Sequence, residues 1–121
     1  MVLTARAENH LYGVGGLDDT LARLAAYRDA GADCVYAPGL VDLDEISRVV
    51  AVGLPVNVLM FPNGPTTAQL ESVGVRRVST GGALAWAAYG ELVRAARELR
   101  DDGTTNYFAA GLPRPDRAAF D

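Results

Sequence analysis

Apolar residues in this chain fall into short continuous runs, separated by longer segments where they recur every three or four positions. The runs are Val2-Leu3-Thr4-Ala5, Cys34-Val35-Tyr36-Ala37 and Val56-Asn57-Val58-Leu59-Met60; Arg77-Val78-Ser79, ended by Gly81-Gly82, reads as a fourth strand. Runs without alternation suit strands buried on both faces, the condition of a parallel sheet covered by helices. Between them, Leu17, Leu21, Leu24 and Ala25 follow i, i+4, i+7 and i+8. Ile46, Val49 and Val50 form a second stripe, and Leu70 and Val73 a third. A fourth stripe, Leu84, Ala88, Leu92, Ala95, Ala96 and Leu99, spans about Ala83 to Asp101. Each stripe predicts an amphipathic helix.

Polar and glycine positions punctuate this pattern. Asp18 and Asp19 stand where carboxylates cap free N–H groups and suit the positive end of the helix dipole. Asp42 and Glu45 have capping-box spacing, and Thr66 or Thr67 can cap the third helix. Ala30-Gly31-Ala32, Val52-Gly53-Leu54 and Val73-Gly74-Val75 repeat one helix-stop motif, with glycine free to take the left-handed conformation. Gly103 ends the last helix. The result is four strand–loop–helix units over residues 1–103, then a tail, 104–121, predicted to be irregular. That tail contains Pro113 and Pro115 and could dock on a partner through Tyr107, Phe108 and Phe120. Two α/β architectures use such units. One is a small doubly wound sheet of flavodoxin type; the other is part of a (β/α)8 barrel, which needs ~250 residues when whole.

Composition narrows the chemistry. The 121 residues suffice for one small core and are 50% hydrophobic, 21% charged and net −4. Every basic residue other than His10 is arginine. With no lysine, a lysine Schiff base and a P-loop or kinase-type lysine are excluded. A single histidine excludes a multi-histidine metal site in one chain. A single cysteine, Cys34, makes neither an internal disulfide nor a Cys-based zinc site, and reads as a small buried hydrophobe. No apolar stretch approaches a membrane span, and the N-terminus lacks the form of a signal peptide, so the cytoplasm is the default expectation. An acidic chain without a basic run suits neither nucleic acid nor anionic membrane. Gly13-Val14-Gly15-Gly16 departs from G-x-G-x-x-G and precedes acidic residues that repel phosphate, so it reads as a flexible loop.

In either architecture function belongs at the C-terminal ends of the strands. Those ends carry Arg6 and Glu8, Tyr36 and Gly39, Asn57 and Met60, and Ser79 with Gly81 and Gly82. A guanidinium suits a small oxyanion through bidentate hydrogen bonding. An asparagine inside an apolar strand is costly unless hydrogen-bonded. A structural Arg6–Glu8 ion pair accounts for Glu8 as well as a site role does. A bond to a neighbouring strand end likewise accounts for Asn57. His10 reads as a solvated loop residue, and Trp86 and Tyr89 as packing or interface residues.

Four stretches, in order, resemble the C-terminal half of the isocitrate lyase/phosphoenolpyruvate mutase family. Ala5-Arg6-Ala7-Glu8 resembles its A-R-T-[DE] strand end, with Ala7 in place of the threonine. Ala26-Tyr27-Arg28-Asp29-Ala30-Gly31-Ala32-Asp33 resembles its A-Y-x-x-A-G-A-D element, with Val35-Tyr36-Ala37-Pro38-Gly39 after it. Pro55-Val56-Asn57-Val58 resembles its P-V-N-V strand. The segment Leu70 to Ser79 resembles its E-L-x-x-L-G-V-R-R-[IV]-S run. The set spans about residues 2–103.

The resemblance implies a half barrel: strands five to eight of a (β/α)8 fold. It implies a lyase or phosphonomutase that makes or breaks a C–C or P–C bond of a small 2-oxo or 2-hydroxy carboxylate through a Mg²⁺-stabilised enolate. Arg6 matches the arginine that grips the substrate's anionic group, Glu8 the acidic position, and Asn57 the strand-seven asparagine. Ser79, Gly81 and Gly82 fall where the last strand meets a helix N-terminus, a natural place for an anion. The family's metal-binding aspartates and its K-K-C-G loop belong to strands one to four, so no metal ligand is assigned to this chain. The expected partners are a small carboxylate or phosphonate and either the other barrel half or a second copy paired through exposed sheet edges. A fragment acting only in binding or assembly is the alternative function.

Overall fold

The computed structural model describes residues 1–117, so Phe120 lies outside the described residues. Two compact units are present, Met1–Gly81 and Gly82–Asp121.

The first unit alternates strand and helix: β1 (Thr4–Arg6), α1 (Leu17–Asp29), β2 (Cys34–Tyr36), α2 (Leu43–Val50), β3 (Val56–Leu59), α3 (Thr67–Ser72) and β4 (Arg77–Ser79). The strands form one parallel sheet in the order β1-β2-β3-β4. That order has no reversal, which a flavodoxin-like module requires. It is the order of consecutive barrel strands, and the unit is a half-barrel of βα units.

Successive side chains of a strand point to opposite faces, while register partners share one. Val35, Val56 and Val58 point to the helix side. There they join Leu24, Ile46, Val49 and Leu70 in a buried cluster. Each such side chain removed from water contributes about 1.5–3 kcal/mol. The opposite face carries Thr4 and Arg6, Cys34 and Tyr36, Asn57 and Leu59, and Arg77 and Ser79, in keeping with the strand register. It is therefore the chemically varied face. Its curvature is evident from one contact between the sheet's first and last strands: Arg77 Nη1 donates to Thr4 Oγ1 at 2.8 Å. A flat four-stranded sheet would hold those strands too far apart for one side chain to span.

Local chemistry explains the element ends. Asp42 Oδ1 accepts from the backbone N–H groups of Asp44 and Glu45, capping α2. Thr66 and Gln69 form the full reciprocal capping box on α3. Asp18 and Asp19 do not cap α1, contrary to expectation. Its N-cap is Gly16 without a side-chain bond. Asp18 instead pairs with Arg48 of α2, and Asp19 accepts from Arg23 and Asn9. Gly31, Gly53 and Gly74, the repeated helix-stop glycines, have φ of 95°, 91° and 93°.

The second unit contains α4 (Ala83–Asp101), a 3₁₀ turn (Asn106–Ala110) and α5 (Arg114–Arg117). Short helical turns thus occupy part of the segment for which the sequence predicts an irregular tail. Trp86 and Tyr89 meet edge to face at 6.3 Å on α4. Glu98 ties α4 to the 3₁₀ turn: its Oε1 accepts from Thr104 Oγ1 at 2.7 Å and from the Asn106 N–H at 2.6 Å. Among the described residues, no helix is long and apolar enough to cross a membrane.

Candidate functional site

The C-terminal end of the half-barrel sheet is built from the ends of β1, β2, β3 and β4. Arg6 ends β1 on the varied face, and its Nε binds Glu8 Oε1. Its guanidinium lies over the Tyr36 ring, 5.0 Å from the centroid, on the adjacent strand. The negative face of the ring attracts a cation placed over it in this way. Hydrogen bonding to Glu8 is the main cause that holds the Arg6 guanidinium above its ordinary pKa range. Arg6 is therefore a fixed cation, half exposed, steadied on two sides. The Ala7 N–H donates to the Tyr36 carbonyl at 2.8 Å, which extends the β1–β2 pairing to the edge of the site.

Asn57 sits on β3 and is 2% exposed. Its Nδ2 donates to Ser79 Oγ on β4 at 3.0 Å. Its Oδ1 is buried and has no partner, as are Glu8 Oε2 and Asn9 Oδ1. An unpartnered buried polar atom costs about 1–3 kcal/mol. Such groups call for an explanation, and a ligand is one. The free Asn57 Oδ1 can accept from a ligand hydroxyl, and the second N–H of Nδ2 can donate to a ligand oxygen.

The site-forming residues predicted from the sequence thus gather as two bonded pairs, Arg6 with Glu8 and Asn57 with Ser79. Gly81 has φ +54°, and a Cβ there would touch only Leu59 Cδ1 at 3.7 Å. Gly82 opens the second unit as the N-cap of α4, and a Cβ there would come within 3.0 Å of Trp86 Nε1.

Two residues take part to which the sequence assigns no role: Tyr36, noted only as a strand-end residue, and Asn9. Tyr36 packs beneath Arg6, and their register pairing, together with strand parity, is the signal that links them. Asn9 is 8% exposed and anchors the loop after β1, with Nδ2 donating to Asp19 Oδ2 at 3.1 Å and Thr20 Oγ1 at 2.9 Å. No local pattern marks that anchor, because its partners lie ten and eleven residues away. The same loop leans on the loop after β2. A Cβ at Gly39 would come within 3.3 Å of both His10 Cδ2 and Leu11 Cα.

Among the described residues, no group of three His, Cys, Asp or Glu side chains is gathered to hold a metal ion. Glu8 spends one oxygen on Arg6. A Mg²⁺ site asks for near-octahedral oxygen ligation from carboxylates, waters or substrate. These residues do not compose one.

Residues 1–100 match the family model described as phosphoenolpyruvate phosphomutase. A crystal structure from Burkholderia cenocepacia, described as a lyase/mutase, is 54% identical and superposes with a TM-score of 0.85, over 98% of this chain and 44% of that one. The oxaloacetate decarboxylase of Chromohalobacter salexigens is 33% identical over 103 residues, 81% of this chain and 36% of that protein. Oxaloacetate acetylhydrolase in complex with its product oxalate superposes at a TM-score of 0.75 and 26% identity, over 94% of this chain and 39% of that one. The chain thus spans less than half the length of each of these relatives. With the family model covering most of its residues and the half-barrel strand order in place, the chain belongs to the phosphoenolpyruvate phosphomutase family, within the isocitrate lyase/phosphoenolpyruvate mutase group.

Proposed function

We propose that this chain is the anion-binding half of a lyase or phosphonomutase acting on a small 2-oxo or 2-hydroxy carboxylate. The observation that carries the reading is Arg6. It is a guanidinium at a strand's C-terminal end, with Glu8 on one side and the Tyr36 ring on the other. Glu8 and Tyr36 limit its rotamers, so less entropy is lost when an oxyanion docks. Arg6 binds the substrate's carboxylate or phosphonate through its remaining N–H groups. Asn57, steadied by Ser79, hydrogen-bonds a second substrate oxygen. Burial of Asn57 excludes competing water, and the loop anchored by Asn9 keeps Glu8 in reach of Arg6. Gly81, where β4 ends, lets the backbone approach a bound anion.

The related oxaloacetate decarboxylase and the oxalate complex of oxaloacetate acetylhydrolase support this ligand class. The Mg²⁺ that the family resemblance implies would take its ligands from outside these residues. The chain's own part is to bind, orient and neutralise charge.

The test grafts residues 1–100 in place of the matching segment of the Burkholderia cenocepacia protein. Oxaloacetate, isocitrate and phosphonopyruvate are then monitored by NMR with Mg²⁺ present. Cleavage or rearrangement of one of them, at least a hundredfold slower in Arg6→Met, is the expected result. Turnover indifferent to that change contradicts the reading.

A further inference from the structure

The varied face of the sheet has a mouth, where Arg6 and Ser79 end their strands, and a floor, where Thr4 and Arg77 begin theirs. At the mouth the guanidinium is matched by Glu8. At the floor Arg77 donates to Thr4 Oγ1 at 2.8 Å, and no carboxylate of the first unit forms an ion pair with it. A hydroxyl satisfies one of five guanidinium N–H groups and none of its charge. Arg77 is tolerable as it stands because it is exposed to water.

That changes when the face is covered. The interior of a (β/α)8 barrel is filled by layers of side chains. A cation enclosed there without a counter-charge is costly, whereas one paired and hydrogen-bonded is not. A substrate anion at the mouth is at the wrong end of the strands to serve. The edges point the same way: among the described residues β1 and β4 each have one neighbour in the sheet, so each leaves one side of its backbone unpaired. A second copy of this chain would bring another Arg77 to the floor and no acid with it.

We propose that the covering partner is a complementary half-barrel of βα units whose inward-facing strand residues include a carboxylate, and that this carboxylate pairs with Arg77. Arg77 then identifies the correct partner and register, while Thr4 holds its guanidinium in place beforehand. The inference rests on the half-barrel fold and on charge, and is independent of which reaction the mouth performs.

The probe is the portion of the Burkholderia cenocepacia protein outside its match to this chain, tagged and co-expressed with the full 121-residue chain. No substrate is added. A 1:1 complex is expected with the wild type. Arg77→Met should weaken it at least tenfold, and Arg77→Lys, which keeps the charge, should lose less than threefold. Circular dichroism and urea midpoints of each variant alone should match the wild type, since the Thr4 bond is exposed. Failure to form a complex, equal affinity for Arg77→Met, or a homodimer that excludes the probe would each overturn the proposal. Loss of turnover in the graft with this complex intact would count against the functional reading only.

Discussion

Arg6 acts through its neighbours. Its aromatic support comes from β2 and its ion pair from the loop after β1, so its position depends on that loop, which leans on the loop after β2. Gly39 is where those loops meet. Its φ is +98°, and a Cβ would press on the Leu11 backbone and the His10 ring. Gly39→Ala should therefore destabilise the first unit by about 1–3 kcal/mol, read as a lower urea midpoint. Gly13→Ala is the control, because φ there is +65° with nothing within 4 Å of a Cβ. An equal loss in both variants would mean that the backbone angle matters and the loop contact does not. Arg6, Glu8, Asn57 and Ser79 are all visible in the sequence as polar residues at strand ends. Their pairing is not. A bond between Asn57 and Ser79 crosses twenty-two positions, and the two meet only after α3 returns the chain to the sheet.

At the scale of elements, the strand–helix alternation is legible because α1, α2 and α3 end in the same glycine step and β2 and β3 lie in apolar runs. The edges of elements are less so. The run from Val2, ending at Arg6, suggests a strand that starts two residues before the one formed. Pairing starts at Thr4 with Cys34 and reaches Arg6 with Tyr36, and a strand is defined by its partner. Asp19 resembles a cap in the sequence, but its partners, Asn9 and Arg23, are set by the fold of the preceding loop and by the helix surface. In the second unit the decisive residue is Glu98, whose side chain is 11% exposed on α4. Hydrogen bonding from Thr104 is the main cause that holds its carboxyl below the usual glutamate range, with the Asn106 N–H and Arg94 adding to it. A lowered folded-state pKa means stability that is fully present above the ordinary value of about 4.3. It is lost as pH falls through the lowered one. Amide-exchange protection at Asn106 should therefore hold at neutral pH and decline below about pH 4. Glu98→Gln should remove that pH dependence. The same acid-side decline in Glu98→Gln as in the wild type would refute it.

The whole molecule explains why composition alone says so little. A chain of 121 residues with one core looks self-sufficient. Its sheet, however, has four parallel strands in sequential order and a polar, curved face opposite the helices. That face is the concave side of a half-barrel, and its residues divide by height. Those at the mouth suit an oxyanion; Arg77, at the floor, suits a protein carboxylate. The family match covers residues 1–100, and the chain superposes on 44% of a longer relative, as a half-barrel should. Oxalate titrated into the chain, with the arginine Nε–H resonances monitored by NMR, tests most directly whether the mouth binds a small carboxylate through Arg6. A saturable shift is predicted at Arg6, accompanied by Tyr36 and abolished by Arg6→Met, with Arg23, Arg48 and Arg94 unmoved. No saturable shift at Arg6, or equal shifts at all the exposed arginines, would contradict it.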